Sequence, residues 1–174
     1  MSRRIYLFDS TLRDGAQTQG VDFSVRDKIA LSHDLDDLGI DYIEGGWPGS
    51  NPRDKDFFKR ARDLKLKHAR LAAFGSTRYA KNKVEEDPNV IALIESETPV
   101  VTIFGKSWEL HTERALGVSE EQNLAMIADS VRLAAERTKE VILDAEHFFD
   151  GYKANAAFAV DCLKAAYEAG ARWI

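Results

Sequence analysis

At 174 residues, 44% of them hydrophobic, the chain has the length and apolar content of a packed globular domain, which excludes a disordered segment. Its formal charge of −5 comes from 24 basic and 29 acidic residues mixed along the same segments, without a basic stripe or interleaved aromatics, so nucleic acid is not an expected partner. No apolar run approaches the length that crosses a bilayer, the start Met1-Ser2-Arg3-Arg4 has no signal-type apolar region, and the single cysteine, Cys162, excludes an intrachain disulfide; the expected setting is cytoplasmic, with no membrane.

Arg4 to Phe8 reads as a first strand ending at Asp9, followed by a loop from Ser10 to Asp22 too rich in Gly, Gln and Asp for helix or strand. Ser24 and Asp27 form a capping box; the helix behind them carries Leu31, Leu35 and Leu38 on one face and stops at Gly39. A strand over Ile40 to Ile43, a charged helix over Pro52 to Leu64, a strand over Arg70 to Phe74 and a short helix over Val90 to Ile94 come next. The pattern continues with a strand over Val100 to Phe104, a helix from the Ser119/Gln122 capping box to about Arg137, a strand over Val141 to Leu143, and a helix from about Asn155 to Ala169, stopped by Gly170.

Such alternation predicts an α/β fold with a parallel sheet, whose reactive groups gather beyond the C-terminal ends of the strands. A closed barrel and a doubly wound open sheet both satisfy it. Leu38-Gly39-Ile40-Asp41-Tyr42-Ile43 and Ala169-Gly170-Ala171-Arg172-Trp173-Ile174 share a helix stop, a two-residue loop, an aromatic and an isoleucine. The last residues therefore read as the start of a sixth strand, and residues 1–174 as a fragment of a longer protein.

The loop after the first strand holds Asp9-Ser10-Thr11-Leu12-Arg13-Asp14-Gly15-Ala16-Gln17. Asp14 is a hard oxygen donor suited to Mg²⁺ or Mn²⁺, Arg13 a forked donor for an oxyanion or carboxylate, and Gly15 lets the backbone approach a ligand. A solvated turn with a surface Arg-Asp pair is the competing reading of such a loop.

The string resembles the signature of the metal-dependent acyltransferases and lyases that include the 2-isopropylmalate, homocitrate and citramalate synthases. Similar stretches follow the next four strands: Ile43 to Pro52, Ala73 to Arg78, Gly105 to His111 and Asp144 to Tyr152. The strings Gly45-Gly46-Trp47-Pro48 and Glu146-His147-Phe148-Phe149-Asp150-Gly151 are most similar to the citramalate branch. The resemblance implies a TIM (β/α)8 barrel, of which this chain covers about the first five βα units and the start of strand six.

It further implies a reaction: acetyl-CoA, as co-substrate, condensing with a small 2-oxo acid, pyruvate being expected, at a divalent metal. Asp14 is then a metal ligand, Arg13 stabilises the enolate or alkoxide, Glu44 and Glu146 hold or deprotonate substrate, and Thr11, Gln17, Phe74, Arg78 and His111 contact it. Glu146 also reads as a surface residue at a helix start, with Asp144 as the strand-end acid. Trp47 and Phe74 either narrow the pocket or simply pack between loops. Cys162, His33 and His68 read as packed or exposed residues without a role. His111 and His147 follow strand ends, yet no His-x-His pair of the kind this family uses to complete its metal site occurs in the sequence. The expectation is a parent enzyme, a homodimer, whose isolated fragment is inactive and binds metal weakly. A lyase running the reverse cleavage, and a catalytically silent half-barrel, are the rival readings.

Overall fold

The computed structural model describes residues 4–174; Met1 to Arg3, part of the segment read for a signal region, lie outside the described residues. Strands and helices alternate in the order β1 (Phe8–Asp9), α1 (Val25–Leu38), β2 (Tyr42–Gly46), α2 (Pro52–Ala61), β3 (Arg70–Ser76), α3 (Pro88–Glu95), β4 (Val100–Lys106), α4 (Glu109–His111), α5 (Glu120–Arg137), β5 (Glu140–Glu146), α6 (Phe148–Ala154) and α7 (Ala156–Glu168). All five strands are parallel and each pairs with its predecessor in the chain, giving the spatial order 1-2-3-4-5. A doubly wound sheet reverses its order partway; this one does not.

The sheet is also curled. Tyr6, just before β1, packs against Trp173 with ring centroids 5.1 Å apart, and Trp173 lies beyond β5, bridging to its Ile142. Strands spaced at about 4.8 Å would put these positions roughly 20 Å or more apart on a flat sheet. The five strands are therefore a half-barrel. Across its N-terminal end Tyr42 donates to Glu140 Oε2 at 2.8 Å, Trp173 Nε1 donates to the Tyr42 hydroxyl at 3.0 Å, and Arg70 pairs with Glu140.

Period-two alternation divides the strand residues between two cores. Ile43, Leu71, Ala73, Val101, Ile103, Val141 and Leu143 face the helices and pack with Phe57, Phe58, Leu93, Ile127, Val131, Phe158 and Cys162. Tyr42, Ala72, Val100 and Ile142 face inward with Trp173. Near the C-terminal ends Gly45, Gly75 and Gly105 let the helices close on the sheet: a Cβ at these positions would come within 2.5 Å of Phe57, 3.0 Å of Leu93 and 3.0 Å of Ile127.

Some elements differ from expectation. β1 is shorter than Arg4 to Phe8, because the Leu7 N–H is taken by the Asp41 carboxylate at 2.9 Å rather than by a neighbouring strand. On α1, Leu38 is 74% exposed while Lys28, Ser32 and Asp36 are buried. The helix packs on α2 and the strand ends through polar links, and the leucine spacing does not register those. β5 runs on to Glu146, and α3, capped by Asp87, begins at Pro88, two residues ahead of its expected start. The single wide turn Thr112–Leu116 after α4 was not expected, and α6 stands as a separate short helix ahead of the one expected from about Asn155; both segments are too short to show a helical period. The chain's last residues do lie beside β5, where Leu143 N donates to Trp173 O at 2.9 Å and Arg172 N to Val141 O at 2.7 Å.

Candidate active site

The loop after β1 is wound on one carbonyl. Ser10 O accepts from Arg13 N, Asp14 N and Gly15 N at 3.1, 2.8 and 3.1 Å, Leu12 is sunk fully into the core, and Gly15–Gln17 closes as a single helical turn. Thr11, expected to touch substrate, instead donates its hydroxyl to Asp9 Oδ2 at 3.0 Å and its N–H to Asp9 Oδ1 at 2.9 Å, bracing the loop's first turn. This geometry throws Arg13 across the strand ends.

There the guanidinium lies flat on Phe74, 3.9 Å from the ring centroid, and Nε donates to Glu44 Oε2 at 2.7 Å. Glu44 projects inward from β2 and is 1% exposed. Burial pushes its carboxyl above the usual range against the pull of the Arg13 charge and hydrogen bond, and the charges of Asp144 and Asp14 push the same way as burial. Asp14 stays exposed, in loose contact with Arg13 at 3.3 Å.

Alternation settles what the sequence left open about the fifth strand. Ile142 faces inward, so Asp144 and Glu146 do as well, and both line one cleft with Arg13, Gln17, Phe74 and Phe104. The cleft measures about 590 Å³, at the strands' C-terminal end where barrel chemistry gathers. Desolvation raises the Asp144 carboxyl above its usual range; Arg13 and Lys106 pull it down and Glu146 pushes it up. Glu146 itself is ion-paired with Lys106.

Phe74 and Phe104 stack at 5.2 Å as the floor, and Trp47 stands edge-on to both at 5.9 and 5.4 Å. A polar knot fixes the loop that carries Trp47. Lys28 Nζ, buried, donates to Gly45 O at 2.9 Å and Asp54 Oδ1 at 2.5 Å; Asp54 Oδ2 accepts from Trp47 N at 2.8 Å and Asn51 Nδ2 at 3.0 Å. Gly46, at φ +145°, lies where a Cβ would be 2.5 Å from that carboxylate.

Two expected substrate contacts lie elsewhere. Arg78 donates to Asp129 Oδ2 at 2.8 and 3.0 Å and to the carbonyls of Tyr79, Ala80 and Asn82, so its fork is used up holding its own loop to α5. His111 packs on Trp108 and His147, centroids 4.8 and 4.7 Å away, outside the residues that line the cleft. Conversely, Lys28, Asp54 and Lys106 join the site without being expected there from the sequence. Only Lys106 left a signal: it follows Phe104 by two on the same strand and shares its inward face.

Among the described residues no three His, Cys, Asp or Glu side chains are placed to share a metal ion. Asp14, a hard oxygen donor with little else bound to it, fits Mg²⁺ or Mn²⁺ as one ligand of a set.

Residues 4–174 match the HMGL-like family. An (R)-citramalate synthase of Aquifex aeolicus is 54% identical over all of this chain and 33% of that protein. One of Geobacter sulfurreducens is 53% identical over 96% of the chain and 32% of its own length. The chain thus spans about a third of the curated relatives it matches. Among solved structures, hydroxymethylglutaryl-CoA lyase from Pseudomonas aeruginosa superposes with a TM-score of 0.72 at 20% identity, over 97% of this chain and 55% of that one; at that identity the likeness concerns the fold alone.

Proposed function

The chain belongs to the HMGL-like family, and from that premise we propose that residues 1–174 are the N-terminal part of the catalytic (β/α)8 barrel of an acyltransferase that condenses acetyl-CoA with pyruvate to give citramalate. The observation that carries this reading is the placement of Arg13, stacked on Phe74 and oriented by buried Glu44 over a cleft with two further carboxylates at the strand ends. Similarity to two citramalate synthases above 50% identity favours pyruvate as the oxo acid. The aromatic floor of Phe74 and Phe104 with Trp47 against it agrees with a small substrate.

The chemistry is a Claisen-type condensation. A proton leaves the methyl group of acetyl-CoA for the Glu146 carboxylate, and the C–H electrons move into the thioester as an enolate. Arg13 meets the negative oxygen that forms, and Glu44 holds the guanidinium in place. The enolate carbon bonds to the keto carbon of pyruvate, whose oxygen becomes an alkoxide and is protonated by water, while Glu146 returns its proton to solvent. Water then cleaves the thioester and CoA leaves as its thiol. A divalent cation held in part by Asp14 supplies Lewis-acid polarisation of the oxo acid when bound. A cytoplasmic homodimer in branched-chain amino-acid biosynthesis completes the proposal.

The test is CoA release by the full-length protein given pyruvate, 2-oxoisovalerate or 2-oxoglutarate, with and without a chelator. Pyruvate is expected to be the preferred acceptor and the chelator to abolish turnover. Preference for another oxo acid, or no release with any, overturns the assignment.

A further inference from the structure

Glu146 is held at both ends by two consecutive residues at the C-terminal end of the neighbouring strand. Lys106, the last residue of β4, reaches the Glu146 carboxylate through Nζ. Ser107, fully buried, donates its hydroxyl to the Glu146 carbonyl at 2.8 Å and its N–H to the same oxygen at 3.4 Å. The holding residues are themselves fixed from outside the barrel. Asn123 on α5 donates to the Lys106 carbonyl at 2.9 Å, and the Cys162 thiol on α7 points at it from 3.6 Å. Gly151 of α6 lies so close above Ser107 that a Cβ would sit 2.1 Å from its carbonyl oxygen.

Asp144 has no such support: its carboxylate makes no hydrogen bond or ion pair with another side chain or with the backbone among the described residues, and it senses Lys106 and Arg13 only through their charge. The two acids share one strand face, yet only one is aimed. Lys106 is mostly buried, and its Nζ lies over the Phe104 ring, 5.5 Å from the centroid, so the ammonium is held between that ring and the Glu146 carboxylate.

We propose that Lys106, with Ser107, is a positioning device that fixes the Glu146 carboxylate in the cleft, in the orientation from which it takes the methyl proton. This rests on the condensation reading given above. Lys106 acts through Glu146 and makes no contact with substrate of its own.

The test is a double-mutant cycle in the full-length enzyme. E146Q removes the proton acceptor; Lys106→Met leaves the acceptor but frees it. K106M is expected to lower kcat by about ten- to a hundredfold with KM for pyruvate within about threefold. The double variant should be no slower than E146Q alone, because a positioning residue has nothing left to position. Additive losses, or a K106M change confined to KM, would overturn the proposal by giving Lys106 a contact of its own. Should K106M fail to fold, K106R keeps the charge and most of the stem: a rate within about fivefold of the parent supports an ionic hold, and a rate as low as that of E146Q contradicts it. A crystal structure of whichever variant folds is independent of the reaction. Under K106M the carboxylate of Glu146 should leave the cleft, and under K106R it should remain; the opposite result in either sinks the positioning role even if the enzyme proves to use another substrate.

Discussion

Arg13 is used in three ways at once: its Nε is donated to Glu44, its flat face rests on Phe74, and its outer edge is turned toward Asp14. A lysine at this position keeps the charge but has neither the fork nor the plate, so it can satisfy one of these neighbours at a time. Glu44 would then hold a mobile ammonium, and the positive charge would no longer sit at one fixed point when the enolate oxygen forms. R13K in the full-length enzyme is therefore expected to reduce kcat on the order of a hundredfold, the scale seen when one oxyanion donor is lost. CoA-release kinetics check this, and a kcat within a factor of a few of the parent would detach Arg13 from the chemistry. Arg13 and Asp14 stood out in the sequence as candidates because their loop is dense in polar residues at a strand end. Arg78 was legible only as an arginine at a strand end; that its donors close on Asp129 and three carbonyls of its own loop is a property of the folded turn.

At the scale of elements, the alternation of periods two and 3.6 predicted the strand–helix order, and pairing of each strand with its predecessor then distinguished the barrel from the open sheet. What local pattern could not convey was which polar residues hold elements together, as on α1. Asp36 is buried there and accepts from the backbone N–H groups of Lys67, His68 and Ala69 at 2.7, 2.8 and 2.6 Å, tying α1 to the start of β3. Burial alone would raise its carboxyl, but the three donors outweigh burial and hold it below the usual range. A depressed folded-state value means the stabilisation is complete above the unfolded-state value of about 3.9 and is lost as pH falls through the folded one. The melting temperature should hold between pH 7 and 5 and decline below about pH 4; D36N should start lower and show a shallower acid decline. Parallel acid limbs in a melting series of the two would show that Asp36 does not carry the effect. Element packing has its own tight point at Gly151, where an added methyl meets the Ser107 carbonyl. G151A is expected to destabilise by about 1–3 kcal/mol, the usual cost of overpacking, with α6 pushed off the β4 end. Urea unfolding measures this, and an unchanged midpoint would mean that α6 can shift freely.

Across the whole molecule, the curled sheet buries its helix-facing side far better than its flank at β1. Ile5 is 81% exposed and Leu7 and Phe8 are about half exposed, and among the described residues β1 pairs on one side alone. A parallel strand with one bare flank and an apolar surface is a template for pairing with another chain. The same arc presents, next to Arg13 at the strand ends, one exposed carboxylate suited to a hard cation, Asp14, and no set of three ligands among the described residues. These two features together predict how residues 1–174 should behave when produced alone. They should self-associate as concentration rises, in light scattering, and should bind Mn²⁺ only in the millimolar range in calorimetry, since a single carboxylate cannot replace enough of the ion's water. Adding the remaining barrel strands, as in the full-length protein, should abolish the association and tighten Mn²⁺ binding by at least a hundredfold. Micromolar binding by the short chain would mean that the strand-end carboxylates converge on their own, and a stable monomer would mean that the aromatic contact of Tyr6 with Trp173 is enough to shield the β1 flank.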